Sequence, residues 1–452
     1  MLLDITETTM PLWASVPFVL MLLMIAVCPL IHKLEHWWEK NLNKLLVSLI
    51  LGTPVAIFLI VNGMTHNLEH QLLFDYIPFI ILLGSLFVIT GGIHLKGDIE
   101  AKPKINTLFL GIGSVLASIM GTTGAAMLLI RPIIRTNAER KYKVHTILFF
   151  IAAVANCGGL LTPLGDPPLF LLYLRGADFT WFLHLVPEWA FANILLLLIY
   201  FILDTHFYKK ENPADIMLDK TLKQPIRLEG KLNFLWLAGV VASVAFINAG
   251  TIPAMGAEDA PMWIKFLREY VLVALIIISL LTTKKKVRTD NKYSWTPIIE
   301  VAVLFLGIFT TMVPTMMYLK ANAASWGLDA PWQFYYLTGA MSSFLDNAPT
   351  ALAFHGVASG LTPDTVAAIG GNIVADIPEI LLKAISVGAV FFGAMTYIGN
   401  GPNFMVKSIA EENGIKMPSF FGYIIKFSLV VLLPVYVLTQ VIFLWLIPML
   451  CA

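Results

Sequence analysis

The sequence predicts an all-α membrane protein of about ten transmembrane helices plus two re-entrant hairpins, arranged as two inverted-topology repeats. Three observations predict it. Of 452 residues, 58% are hydrophobic and 13% charged, whereas a soluble chain has about 45–50% apolar and about 25% charged residues. The apolar residues fall into twelve long runs, and the Lys and Arg residues gather in the loops of one side.

The runs lie at 12–31, 45–62, 72–93, 106–134, 145–175, 179–203, 232–249, 263–282, 297–319, 332–358, 380–406 and 418–450. A helix needs about 20 apolar residues to cross about 30 Å of hydrocarbon, so each run is long enough to span. A β-barrel is excluded because its strands alternate polar and apolar positions, and these runs do not.

Run 106–134 is basic at both ends, with Lys96, Lys102 and Lys104 before it and Arg131, Arg135, Arg140, Lys141 and Lys143 after it. The positive-inside rule puts both ends in the cytoplasm, so the run is expected to enter, turn near Gly121-Thr122-Thr123-Gly124 and leave on the same side. Run 332–358 is its mirror image. Its flanks at 326–331 and 360–365 carry no Lys or Arg, and its turn falls at Leu345-Asp346-Asn347-Ala348-Pro349.

With two hairpins and ten crossings, loops 32–44, 94–105, 131–144, 204–231, 283–296 and 407–417 all lie inside and hold 24 of the 30 Lys and Arg. Both termini are then extracytoplasmic. The chain divides into a first repeat at 1–203, a basic cytoplasmic linker at 204–231 and a second repeat at 232–452, each repeat having three spans, a hairpin and two spans. Five crossings per half is an odd number, which inverts the second half. Alternating access makes use of that symmetry, and a membrane hydrolase does not need it.

Each hairpin is followed by a span broken by Gly and Pro: Asn156-Cys157-Gly158-Gly159-Leu160-Leu161-Thr162-Pro163-Leu164-Gly165-Asp166-Pro167-Pro168 in the first half, Thr396-Tyr397-Ile398-Gly399-Asn400-Gly401-Pro402-Asn403 in the second. Laying Asp166 on Asn400 gives an offset of 234, and laying Thr122-Thr123 on Asp346-Asn347 gives 224. Non-helical backbone cannot face lipid, so the breaks are expected to line a midplane cavity of free carbonyls, hydroxyls, amides and two carboxylates. An aspartate at that depth costs at least ~2.5 kcal/mol and persists where it is paired, protonated or bound to a cation. The expected cation and substrate ligands are Asp346, Asn347, Thr350, Asp166, Thr122, Thr123, Asn156, Thr162, Asn400 and Asn403, which together form a hard-oxygen cage suited to Na⁺ or H⁺. Arg131, expected near the cytoplasmic boundary, is the main residue against a cation site.

Other features read as structural. Cys28, Cys157 and Cys451 form no CxxC pair and suggest neither a disulfide framework nor a metal site. The histidines show no metal-like spacing, and a net charge of +1 gives no field for nucleic acid. Lys383, Lys426, Glu188 and Glu300 read as structural and Asp75 as interfacial. Neither HExxH nor GxSxG is present, so no enzyme is expected and no cofactor. The expected partners are the lipid bilayer and a small cargo.

Gly121-Thr122-Thr123-Gly124, Leu161-Thr162-Pro163-Leu164-Gly165-Asp166-Pro167-Pro168 and above all Ser342-Ser343-Phe344-Leu345-Asp346-Asn347-Ala348-Pro349-Thr350 resemble the ion transporter superfamily. This superfamily includes NhaD-type sodium/proton antiporters, arsenite pumps and citrate or dicarboxylate carriers, and the resemblance covers nearly the whole chain. The Leu-Asp-Asn-x-Pro tip is similar to the antiporter and arsenite branches. Pro167-Pro168 depart from the NhaD-type pattern, where hydroxyl residues follow the Gly-Asp, and such proline-rich variants also occur in branches labelled citrate or anion transport. The resemblance implies a sodium/proton antiporter with Na⁺ and H⁺ as transported ions, with a cation-coupled citrate or dicarboxylate transporter and arsenite-type efflux as alternatives. It also implies a homodimer in the bacterial inner membrane, in which the first three spans of each half form a scaffold.

Overall fold

The computed structural model describes residues 10–257 and 259–451. The chain is mostly helical, and seven helices are long and apolar enough to cross a membrane. In the first half the main helices are α1 (Val16–Val27), α2 (Asn41–Val61), α3 (Thr65–Thr90), α4 (Pro103–Met120), α5 (Thr122–Thr136), α6 (Val144–Ala153), α7 (Pro167–Leu174) and α8 (Phe179–Tyr208). The second half contains α9 (Leu232–Phe246), α10 (Leu267–Thr282), α11 (Thr296–Asn322), α12 (Pro331–Phe344), α13 (Asn347–Ser359), α14 (Glu379–Phe392), α15 (Gly401–Glu412) and α16 (Phe420–Leu450).

Helix breaks fall where the sequence places glycine, proline and turn-forming residues. Between α4 and α5 stands one residue, Gly121, with φ +81°. A side chain is strained at that φ, and a Cβ there would also lie 3.3 Å from the Leu164 carbonyl oxygen. The pair α4 and α5 folds back on itself: Asn106, in the first turn of α4, and Asn137, just past the end of α5, exchange amide hydrogen bonds of 2.8 and 3.1 Å. Helices α12 and α13 touch each other on either side of Leu345-Asp346. Helices α5, α12 and α13 have 15, 14 and 13 residues, so at about 1.5 Å per residue each is shorter than the roughly 30 Å of a hydrocarbon core.

Hydrogen bonds and ion pairs join five of the six basic loops. A short ribbon pairs β1 (His94–Asp98) with β2 (Gln224–Glu229) in antiparallel register, joining loop 94–105 to linker 204–231. Lys96 bridges Glu229 at 3.0 Å and Asp290 at 2.6 Å, which brings in loop 283–296. Glu211 accepts from the backbone amides of Lys141 and Tyr142 at 3.0 and 2.8 Å, adding loop 131–144. Lys44 meets Glu300 at 2.5 Å and Asn41 donates to the Thr296 carbonyl at 3.1 Å, adding loop 32–44. Because these loops carry most of the positive charge, the carboxylates among them are ion-pair partners. The all-α expectation missed this ribbon and a second one, Ile373–Val374 with Ile377–Pro378. Both lie in loops whose alternation is too short to read as strand.

Asp75 corrects the interfacial expectation. It is 2% exposed and accepts from Arg175 at 2.7 Å, tying α3 to the end of α7. Lys383 and Glu188 pair at 2.9 Å and link α14 to α8.

Candidate functional site

Asp166 stands at the start of α7, just after the irregular stretch that follows α6, and is 1% exposed. The backbone there is packed too closely for any residue but glycine. A Cβ on Gly165 would lie 1.9 Å from the Gly159 carbonyl oxygen, and the Gly165 carbonyl accepts from the Thr122 amide at 2.8 Å. The α4–α5 turn is thereby docked onto the broken helix.

Three other segments converge on this carboxylate. Its Oδ1 accepts from the Thr122 hydroxyl at 2.8 Å and from Asn400 Nδ2 at 3.1 Å. Its Oδ2 accepts from Asn347 Nδ2 at 2.5 Å. Thr122 opens α5, Asn347 opens α13, and Asn400 precedes α15. The chain therefore returns from 181 and 234 residues away to supply two of the three donors. Asn156 and Asn403 complete the cluster: Asn156 Nδ2 donates to Asn403 Oδ1 at 2.7 Å, and Asn400 Nδ2 also reaches Asn156 Oδ1 at 3.2 Å. No Lys or Arg donates to Asp166 or Asp346 among the described residues.

Of the ten expected residues, the structure thus brings six together: Asp166, Thr122, Asn347, Asn400, Asn156 and Asn403. The other four make no side-chain hydrogen bond to this carboxylate. Asp346 caps α13, its Oδ1 accepting from the Ala348 amide at 3.0 Å, and Thr350 donates to the Asp346 carbonyl at 2.9 Å. Thr123 is half-buried and takes no part in the cluster. Thr162 shapes the break, donating to the Ser118 carbonyl at 2.5 Å and accepting from the Leu164 amide at 3.1 Å.

The expectation of free break carbonyls needs correction, because neighbouring side chains occupy many of them. Gly158 O accepts from Ser118 Oγ at 2.5 Å and Trp189 Nε1 at 3.1 Å. In the second half Ala394 O accepts from the Tyr423 hydroxyl and Met395 O from Ser428 Oγ, each at 2.7 Å. Asn403 Nδ2 serves Gly393 O at 2.7 Å and Thr396 O at 2.9 Å. A buried carbonyl without a partner is costly, and in both halves the next long helix supplies some of the donors. Ser118, Trp189, Tyr423 and Ser428 were missed by sequence reasoning, since a lone polar residue in an apolar run carries no local signal of its partner. Asn347 Oδ1 is buried and takes no hydrogen bond among the described residues.

Residues 7–444 match the model of a family described as "Putative citrate transport". The chain belongs to this family. Members of the citrate transport family are transporters, so this chain is a multi-pass membrane transport protein and not an enzyme. An uncharacterized transporter of Mycobacterium tuberculosis is 26% identical over 440 residues, covering 90% of this chain and 94% of its own length. A 46 kDa membrane protein of Mycobacterium leprae is 24% identical, covering 83% of this chain and 88% of itself. The inner membrane protein YbiR of Escherichia coli is 28% identical over 132 residues, which are 26% of this chain and 36% of YbiR. In this citrate transport family member, Asp166 is a buried carboxylate that accepts side-chain hydrogen bonds from both halves of the chain.

Proposed function

We propose that the chain is a cation-coupled secondary transporter of citrate or a related carboxylate, working as a homodimer in the bacterial inner membrane. In this reading it is built from two inverted repeats, each with one re-entrant hairpin. The observation that carries the reading is the convergence of Thr122, Asn347 and Asn400 on buried Asp166, within a chain whose family is described by citrate transport. The hairpins are supported by the Asn106–Asn137 amide pair and by the short helices α5, α12 and α13. The joining of five basic loops by hydrogen bonds and ion pairs supports the topology.

Chemically, a polycarboxylate anion cannot rest beside a bare carboxylate in a medium of low dielectric, because like charges repel strongly there. A bound cation removes the conflict. Asp166, Asp346 and the unpartnered Asn347 Oδ1 offer oxygen to such an ion near the two helix turns, and hard oxygen ligands suit Na⁺ or H⁺. Amide groups such as Asn400 and the N-termini of α7, α13 and α15 suit the anion. Cation binding thus becomes a condition of anion binding, which is coupling.

Sodium/proton antiport is the second reading, favoured by one observation: no Lys or Arg donates to either carboxylate. Purified protein in liposomes separates the two. Uptake of labelled citrate driven by an inward Na⁺ or H⁺ gradient is expected. Collapse of a trapped pH gradient on adding Na⁺, with no citrate uptake, overturns the carboxylate reading in favour of antiport.

A further inference from the structure

Asn156 and Asn403 come from the two halves of the chain, 247 residues apart, and both are fully buried. Their amide orientations are dictated by what surrounds them. Asn403 lies between two backbone carbonyls, Gly393 O at 2.7 Å and Thr396 O at 2.9 Å, and only its NH₂ can donate to them. Its Oδ1 must then face Asn156, whose Nδ2 donates to it at 2.7 Å and to the Ile151 carbonyl at 2.8 Å. That leaves Asn156 Oδ1 as an acceptor for Asn400 Nδ2 at 3.2 Å, and the same Nδ2 lies 3.1 Å from Asp166 Oδ1.

We infer that Asn403 and Asn156 are positioning residues, forming a one-way amide relay that locks the two chain breaks together and aims the Asn400 NH₂ at Asp166. The inference deepens the transport reading, since it concerns the same site. Neither residue touches Asp166 by a side-chain hydrogen bond; each acts through Asn400. Amide orientation inside a closed chain is cooperative, because turning one member around puts donor against donor at the next. The backbone carbonyls at one end, together with the Ala155 carbonyl 3.3 Å from Asn400 Nδ2, thus hold that NH₂ towards the carboxylate at the other. The relay also makes the first break and the second break one mechanical unit. Any motion of the site between the two faces of the membrane carries Asn156 and Asn403 together.

Cys157, the neighbour of Asn156 and itself fully buried, provides a readout that needs no substrate. In protein whose other cysteines are replaced (Cys28→Ser, Cys451→Ser), the labelling rate of Cys157 by a membrane-permeant maleimide reports opening of the first break. Asn403→Ala and Asn156→Ala are each expected to raise that rate about tenfold, the size of one lost buried hydrogen bond. The double variant is expected to label no faster than either single, because both cut one chain. Asn403→Asp keeps the size and the acceptor but sets an oxygen against the Gly393 and Thr396 carbonyls in place of the NH₂, so it is expected to label at least as fast as Asn403→Ala. In liposomes the same variants should raise the citrate concentration for half-maximal uptake about tenfold with a smaller change in maximal rate. The relay is overturned if the two substitutions multiply, if Asn403→Asp labels like the parent, or if the single variants leave the rate unchanged. Should the parent take up no citrate, the transport reading falls and the relay is judged on labelling alone.

Discussion

Thr162 and Thr396 make the same hydrogen bonds in the two halves of the chain. Each hydroxyl donates to the carbonyl of a serine near the end of the helix that leads into the turn, Ser118 on α4 for Thr162 and Ser343 on α12 for Thr396. Each accepts in return from an amide two residues on, Leu164 at 3.1 Å and Ile398 at 3.2 Å, and Thr396 accepts from the Gly399 amide as well, at 3.1 Å. The threonines are separated by the same 234 residues as Asp166 and Asn400, so both pairs keep one register. The serines are 225 residues apart, one more than the offset that lays Thr122 on Asp346. The extra residue is visible: the first turn has Gly121 alone and the second has Leu345 and Asp346. In the structure it is therefore Asn347, not Asp346, that stands where Thr122 stands.

From this pairing, Thr162→Val and Thr396→Val are each expected to lower transport at least tenfold, because each leaves a buried carbonyl and a buried amide without a partner. Thr→Ser at either position keeps the hydroxyl and is expected to retain most of the activity. Initial uptake rates at matched protein level check this. Equal rates in the Val and Ser variants would make the methyl group, not the hydroxyl, the part that matters.

Loop placement gives a second expectation. Single cysteines at Ala138 and Ala214 should label only from the cytoplasmic side, and cysteines at His66 and Ala254 only from the other. All four positions are exposed. Labelling of Ala138→Cys from the outside with impermeant maleimide would mean that α4 and α5 together cross the membrane, and the inverted-repeat reading would fall.

What the sequence made legible was local. Glycine and proline inside apolar runs marked the helix ends at Gly121, Asp166 and Asn400, because a permissive or donor-lacking residue acts on its own turn. Charge counts marked the loops that cluster, because each Lys or Arg reports its side independently. Partner choice was not legible. Asp75 looked interfacial because its partner, Arg175, is 100 residues away. Asp346 sits in the most distinctive motif and caps its own helix, whereas the hydrogen bonds that Asp166 accepts from Asn347 and Asn400 come from the other half and leave no local pattern. Such outcomes depend on how helices pack, and no local pattern encodes that.

The cytoplasmic ribbon should be acid-sensitive. His94 on β1 is 7% exposed, and burial holds its pKa below the ordinary histidine value, partly offset by a hydrogen bond with Asn291. The folded form therefore binds its proton less readily than the unfolded form. Its contribution is intact above the unfolded value of about 6.5 and is lost as pH falls from there towards the lower folded value. Limited proteolysis of linker 204–231 in inside-out vesicles is expected to be faster at pH 5.5 than at pH 7.5. In His94→Gln the difference between the two pH values should shrink, and an undiminished difference would assign the sensitivity to another group.

The two carboxylates should separate in their effects. Asp166→Asn replaces an oxygen that accepts with an NH₂ that must donate, in a site where Thr122 and Asn400 present hydrogens to Oδ1 and Asn347 to Oδ2. The new NH₂ finds an acceptor only if the Asn347 amide turns its unpartnered Oδ1 towards it, and the negative charge offered to the coupling cation is lost, so transport is expected to fall by more than a hundredfold, with protein level and assembly preserved by the surrounding apolar packing. Asp346→Asn is different, because asparagine caps a helix about as well as aspartate and the bond from the Ala348 amide can be kept. Its fold is expected to be intact, and what it removes is a negative charge beside the site. If Asp346 binds the coupling cation, Asp346→Asn should keep citrate exchange at equal concentrations on both sides while losing accumulation driven by a cation gradient. Counterflow and gradient-driven uptake, measured on the same proteoliposomes, check this. Loss of both activities together would make Asp346 part of the anion site, and retention of both would leave it a helix cap.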